Sequence, residues 1–314
     1  MKSVVIGGAG FVGRAVCNEL VARGDTVIAL DPSPPHKGSL AEGVQHMTGD
    51  VLDKASLRPA LEGADEVYLL AARLGTSELE TELRTAIHTN VLGAINVFEA
   101  AVEARVPRAF LASKPSVWLN VYTITKFAAE QSARLLTRYH PIGISVLRYL
   151  NIYGPGQKLY PVRKVLPIFA AQALRGLPLQ VYGEGDQTVD MLFVDDAARL
   201  TVDVMRAPFD GEVHDCGTGV EMTVLEVARA VNEHFGNRAG IQHVPMRKGE
   251  TPHTRLVANL DPLRRLLGDD LRFTPWPKAL ATSLDWYARR PAHEIDAALT
   301  FWGMAQPYGM AWTS

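Results

Sequence analysis

Cysteine is nearly absent. Cys17 and Cys216 are the only two in 314 residues, and they stand far apart, which excludes a disulfide framework and a cysteine metal site. The nine histidines show no H-x-x-x-H or clustered spacing, so no metal is expected. An excess of one charge is lacking too. A net charge of -2 with a pI near 6.5 gives no drive towards nucleic acid or an anionic membrane. No apolar run reaches the roughly 18 residues that a spanning helix needs. The opening "MKSVVIGGAG" meets glycine too early for a signal-peptide core, so the expected location is the cytoplasm. Repeats, low-complexity tracts and long linkers are missing as well. With 47% hydrophobic and 21% charged residues, the chain has a globular profile. Its length suits one large domain, or a large and a small one sharing a cleft.

Short apolar runs alternate with helical spacing through the first half. "SVVIGG", "DTVIALD", "VQHMTGDV", "EVYLLAA" and "RAFLAS" read as five strands, and "GISVLRYLNIYG" as a sixth. Helices are expected from Phe11 to Val21, from about Lys54 to Leu61, from about Glu82 to Ala104 and from near Tyr122. That alternation points to a parallel sheet covered on both faces, and right-handed crossovers make it a doubly wound α/β fold. After Asn151 the rhythm changes. "YPVRKVLPIFAAQALRG" looks helical around Pro167, "LQVYGEGDQTVDMLFVDDAARL" reads as two short strands about a turn and then a helix, and "EVHDCGTG" as a strand returning to the main sheet. The expected division is a nucleotide-binding domain over 1–155 with returning segments at about 190–218. A smaller, discontinuous C-terminal lobe then covers 156–189 and 219–314.

Gly7, Gly10 and Gly13 form a G-x-x-G-x-x-G spacing between a strand and a helix. Such a turn needs glycine to bend tightly, to admit a pyrophosphate and to pack helix on strand. The helix start then offers N–H groups and a partial positive charge to phosphates. Asp31 ends the second strand, where a carboxylate bonds ribose hydroxyls and repels a 2′-phosphate, favouring NAD over NADP. His36 and Lys37 are the nearby cations that argue the other way. Asp50, with Val51, ends the third strand and can hold the adenine edge or cap a helix.

Tyr122 and Lys126 lie four apart on a predicted helix, so they share a face. Proton abstraction from an alcohol needs a phenolate. Bringing tyrosine from about 10 to about 7 takes roughly 4 kcal/mol. One cation about 4 Å away supplies on the order of 4 kcal/mol at an effective dielectric near 20. A lone Y-x-x-x-K is common on soluble helices; its place after the fifth strand of a dinucleotide fold is what gives it weight.

With "GGAGFVG", Asp31, "DEVYLLAA", "NVLGAINVFEAA", "YTITKFAAE", "LRYLNIYGPGQ", "LPLQVYGEGDQTVDMLFVDDAA", "VHDCGTGVEMTVLEVA" and "MRKGET", the chain resembles an extended short-chain dehydrogenase/reductase. It is similar to the branch of NAD-dependent sugar-nucleotide epimerases and dehydratases, nearly end to end. The resemblance implies a Rossmann domain with a substrate lobe, bound NAD, and oxidation of a sugar carbon, usually C4, to a keto intermediate. It implies Tyr122 as base and Lys126 as its tuner and nicotinamide-ribose ligand. Gly7, Gly10, Phe11, Val12, Gly13, Asp31, Asp50, Val51, Ala71, Ala72 and Asn90 complete the cofactor set. Ser116, Asn151 and Arg247 fall on substrate-facing positions. Helices 82–104 and 122–139 resemble those that pair in the family's homodimer.

Four positions depart from the family. Lys114 stands where a small hydroxyl is usual, flanked by Ser113 and Ser116. It either takes part, as donor or neutral acceptor, or points to solvent while a serine serves. Only "LNV" separates Trp118 from Tyr122, where relatives carry a longer covering segment. Val189 replaces an arginine that often faces the diphosphate, and Leu69 replaces a histidine. Pro115 and Ser116 occupy the Asp-Glu positions of 4,6-dehydratases, and the glutamate expected near Ser116 in glucuronate decarboxylases is missing. Both cysteines lie away from the position expected in 3,5-epimerases. Three readings survive: a sugar-nucleotide epimerase at C4, an NAD-dependent dehydrogenase or reductase on a sugar or other alcohol, and a non-catalytic nucleotide sensor, against which the Tyr122–Lys126 pair argues.

Overall fold

The computed structural model describes residues 1–35, 40–246 and 252–304. Six strands, β1 (Lys2–Ile6), β2 (Thr26–Asp31), β3 (Val44–Thr48), β4 (Glu66–Leu69), β5 (Arg108–Ser113) and β6 (Gly143–Tyr149), are joined by Val213–Cys216 in one sheet. Its order is Val213–Cys216, β6, β5, β4, β1, β2, β3, and every pairing is parallel. The order reverses between β1 and β4, the switch point at which open α/β sheets bind ligands.

Alternation along β1 shows why the runs are continuously apolar. Val4 and Ile6 enter one core with Leu57, Val97, Phe98 and Ala129. Val5 enters the other with Val16, Leu20, Tyr68, Phe110 and Leu200. Helices α1 (Phe11–Ala22), α2 (Lys54–Leu61), α3 (Leu83–Ile87), α4 (Gly93–Glu103) and α5 (Val121–Tyr139) follow the strands. The expected helix over 82–104 is not uniform: His88–Leu92 forms a π-helical turn between α3 and α4. That turn carries Asn90, 3% exposed.

The chain divides into two compact units, one of 1–153, 188–222 and 247–274, the other of 154–187, 223–246 and 275–314. Residues 252–274, which the sequence assigns to the lobe, therefore cluster with the sheet. The reason is burial, since Leu256, Ala258, Leu260 and Leu263 join the second core. The "LQVYGEGDQTVDMLF" stretch is also split. Leu179–Tyr182 pairs in parallel with Ile241–Val244 in the second unit, whereas Met191–Phe193 pairs in parallel with Asn151–Tyr153 in the first. In the second unit Val165–Leu174 is buried on nearly all sides, with Pro167 in its first turn. Among the described residues no helix is long and apolar enough to cross a membrane.

Candidate active site

In a parallel sheet all carboxyl ends share one edge, so the loops after β1, β4 and β5 converge at the switch point. The first of these is the glycine turn. Gly7 has φ of +85°, and a Cβ there would sit 2.6 Å from the Ala71 nitrogen of the loop after β4. A Cβ on Gly13 would fall 2.0 Å from the Gly7 oxygen, so helix α1 rests directly on the turn. Gly10 precedes that helix, and no side chain caps it and no acid occupies its first turn. The N–H groups at the start of α1, with Phe11 and Val12, are thus left to an anion. Asp31 is held at the same turn, its carboxylate accepting the Ala9 N–H at 2.9 Å. A glycine cradle, an uncapped helix start and an acid beside them fit a dinucleotide.

Asp50 is exposed and accepts the Leu52 N–H at 2.9 Å. The capping role falls instead to Asp53, which accepts from Ala55 N–H at 3.1 Å at the start of α2. Val51 is buried against Gly93, where a Cβ would meet its Cγ2 at 2.6 Å. His36, Lys37 and Arg247 lie outside the described residues.

Asn90 ties the cofactor end to α5. Its Oδ1 accepts the Arg73 N–H at 2.7 Å, and its Nδ2 donates to the Arg73 carbonyl and to Thr125 Oγ1, both at 3.0 Å. Thr125 Oγ1 donates in turn to the Tyr122 carbonyl at 3.1 Å. A contact chain thus runs from Gly7 through Ala71, Ala72 and Arg73 to the turn bearing Tyr122 and Lys126. The π-helical turn is the distortion that lets Asn90 face inward.

Asn120 caps α5, its Oδ1 accepting the Thr123 N–H at 2.9 Å. Lys126 is 3% exposed, and burial lowers its pKa to about 8, with Glu130 one turn on pulling it back up. Tyr122 is partly exposed along its length, yet burial of the phenol raises its pKa above the usual value. This differs from the expectation that the lysine pulls the tyrosine down. Without a ligand, desolvation governs both groups.

The end of β5 assigns its polar groups clearly. Ser113 is buried and its hydroxyl donates to Glu130 at 3.0 Å. Glu130 is fully buried and takes both arms of Arg148, at 3.0 and 2.6 Å. Lys114 does not point to solvent. Its Nζ donates to the Pro115 carbonyl at 2.8 Å and to Thr123 Oγ1 at 2.7 Å. It lies 5.3 Å from the Trp118 ring centroid and 5.9 Å from that of Tyr122. Ser116 is exposed. In the short loop Trp118 Nε1 donates to Thr254 Oγ1 at 3.3 Å, while Leu119 is 91% exposed. Asn151 leaves its Nδ2 buried with no hydrogen-bond partner among the described residues.

Sequence reasoning missed Glu130, Thr123 and Thr125. Glu130 had a signal, since it follows Lys126 by four residues and so shares its face. Both cysteines are buried. Burial pushes the Cys17 thiol up to about 12 and the Cys216 thiol higher still, so neither is a nucleophile. Among the described residues no group of three or more His, Cys, Asp or Glu is gathered as a metal site.

Residues 3–217 match the NAD dependent epimerase/dehydratase family. The chain belongs to that family, whose cofactor is NAD. It is 28% identical over 317 residues to the UDP-N-acetyl-alpha-D-glucosaminuronate decarboxylase of Bacillus cytotoxicus, covering 91% of this chain and 97% of that one. The epimerase Mth375 of Methanothermobacter thermautotrophicus superposes with a TM-score of 0.85 at 27% identity, over 91% of each chain. MoeE5, solved with UDP-glucuronic acid and NAD, gives 0.82 at 28% identity over 92% of this chain and 99% of that one. The Rossmann fold with its seven-stranded parallel sheet is therefore that of the extended short-chain dehydrogenase/reductases.

Proposed function

We propose that this chain is an NAD-dependent sugar-nucleotide epimerase acting at C4 through a transient keto sugar. The observation that supports the reading is the bonded path Arg73–Asn90–Thr125–Tyr122, which ties the turn bearing the tyrosine–lysine pair to the loop after β4. NAD, when bound, supplies a reversible hydride acceptor. Tyr122 Oη takes the proton of the sugar hydroxyl and returns it after the keto group has turned. Lys126 makes that transfer accessible. Neither group ionises cheaply alone in a buried site, but phenolate and ammonium formed together attract by about 4 kcal/mol at 4 Å and an effective dielectric near 20. Gly7, Gly10, Phe11, Val12, Gly13, Asp31, Val51, Ala71 and Ala72 shape the cofactor's bed, and Asn151 meets the substrate.

The missing acids at Pro115 and Ser116 speak against dehydration and decarboxylation. A second reading, an NAD-dependent dehydrogenase or reductase, is favoured by the short loop, which leaves Leu119 exposed. The proposed assembly is a homodimer through α4, α5 and the turn before them, where Leu92, Ile124, Phe127 and Leu135 are exposed on the surface. Denaturing the purified protein and identifying the released nucleotide by mass separates the readings. Near-stoichiometric NAD or NADH is expected of the epimerase, and an empty site that exchanges NAD(H) freely supports the dehydrogenase. Tyr122→Phe is expected to lower kcat at least a thousandfold with NAD still bound; persistent turnover removes Tyr122 as the base.

A further inference from the structure

We propose that Glu130 is a positioning residue for the Tyr122–Lys126 pair, a buried carboxylate that keeps the charge on the lysine and so leaves the tyrosine to give up the proton. This rests on the reading of Tyr122 as the base, and it names the residue that makes the pair ionise in that sense.

The pair has two ways to lose one proton. Loss from Tyr122 gives phenolate and ammonium, which can accept the proton of a sugar hydroxyl. Loss from Lys126 gives phenol and amine, and the tyrosine is then no base. Burial favours the second outcome, because it penalises both charges of the first. Burial has already brought the Lys126 pKa down to about 8. An anion nearer to the lysine than to the tyrosine restores the first outcome.

Glu130 is such an anion. It follows Lys126 by four residues on α5 and Tyr122 by eight, which is roughly 6 Å and roughly 12 Å along the helix at 1.5 Å per residue. At an effective dielectric near 20, that difference favours phenolate–ammonium over phenol–amine by about tenfold.

The carboxylate is also kept from collapsing onto the lysine. Among the described residues its bonds all lead elsewhere: to Ser113 Oγ at 3.0 Å, to Arg148 Nε and Nη2 at 3.0 and 2.6 Å, and to Gln131 Nε2 at 3.4 Å. Two neighbouring strands, β5 and β6, thus clamp an acid that an i, i+4 lysine would otherwise pair with. Ser113 serves this anion. Arg148 does not cancel its field, because the Arg148 side chain is 31% exposed and that of Glu130 is 0% exposed, so water screens the cation more than the anion. Asp215, in register with Arg148 on the Val213–Cys216 strand, offsets the cation further.

The other charges on the surrounding elements lie farther out or are already engaged. Lys114, after β5, stands 5.9 Å from the Tyr122 ring. Arg73 after β4, Arg84 on α3, His88 on the π-helical turn and Arg134 on α5 are exposed. Glu99 and Glu103 on α4 pair with Lys54.

The test needs no sugar. NAD-loaded wild type, Glu130→Gln, Glu130→Asp and Arg148→Gln are titrated while the ultraviolet phenolate band is recorded, and the Tyr122→Phe form of each is subtracted. The two groups are coupled, so the midpoint belongs to the pair. Without the anion the first proton leaves more easily from either group. Glu130→Gln is therefore expected to lower the midpoint by about one pH unit and to shrink the band at that step at least twofold. Arg148→Gln removes a cation and is expected to raise the midpoint, and Glu130→Asp, which keeps the charge, to restore both midpoint and band. A residue that only braces α5 against the sheet would not give shifts of opposite sign. Midpoints unmoved or moved the same way, or a Glu130→Gln band as large as that of the wild type, overturn the proposal. Should Glu130→Gln fail to hold NAD, Arg148→Gln decides alone: a rise supports the proposal, and no rise overturns it. A wild type that holds NAD yet shows no Tyr122 band below about pH 9 overturns instead the base assignment beneath it.

Discussion

Replacing Lys126 with methionine is expected to make the cofactor-free protein more stable and the enzyme inactive. The ammonium is buried at 3% exposure, and its pKa falls from 10.5 to about 8. That drop corresponds to about 3 kcal/mol of disfavour for the charged form in the folded state. The sign follows from proton counting. Between about pH 8 and pH 10.5 the unfolded chain keeps a proton that the folded chain has lost, so stability rises with pH across that window. The penalty is thus full below about pH 8 and gone above pH 10.5. Methionine has nearly the same length and no charge to desolvate. Urea unfolding of both proteins at pH 7 should show Lys126→Met ahead by about 3 kcal/mol, shrinking to below about 1 kcal/mol at pH 10. Comparing the two proteins at each pH cancels every other titrating group. A variant equally stable as the wild type at pH 7, or ahead by a constant amount at both values, would refute the reasoning. It would mean that Glu130, one turn away, holds the ammonium as well as water does.

Two further substitutions test the frame. Arg206 lies between Asp25 and Glu66, whose side chains are only 4% and 2% exposed. Arg206→Met leaves buried Glu66 without its cation and Asp25 with only the Met1 amino group at 3.5 Å, and is expected to cost about 3–5 kcal/mol in urea unfolding; a loss below about 1 kcal/mol would show that Met1, Ser3 and Tyr68 satisfy them alone. Gly13→Ala places a methyl group 2.0 Å from a backbone oxygen that has no rotamer to retreat into. It should destabilise by about 1–3 kcal/mol and weaken NAD binding in calorimetry, and unaltered affinity would detach the glycine turn from the cofactor.

The alternation of strand and helix was legible because a sheet buried on both faces demands continuous apolar runs, as Val4, Val5 and Ile6 show by serving two cores at once. The glycine turn and Asp31 were legible because their chemistry is local. What the sequence hid depends on contacts between distant residues. The π-helical turn exists because Asn90 reaches Arg73 and Thr125, 17 and 35 residues away. Ser113 looks like a site hydroxyl until Glu130 is seen to accept its hydrogen bond. Residues 252–274 carry too few apolar positions to declare which unit they join, and only the packing of Leu256, Ala258, Leu260 and Leu263 settles it.

The two departures at the end of β5 are better understood as one. Only seven residues, 114–120, join β5 to α5, so the first turn of the helix is brought back towards the strand end. Asn120 then caps the helix at once, and Thr123 comes within 2.7 Å of a side chain nine residues earlier. A small hydroxyl at position 114 would not span that gap, whereas a lysine does. The same short connection fixes the ammonium beside Trp118 and Tyr122. The lysine and the short loop therefore belong together, because the brief connection brings Thr123 within reach of a side chain of that length.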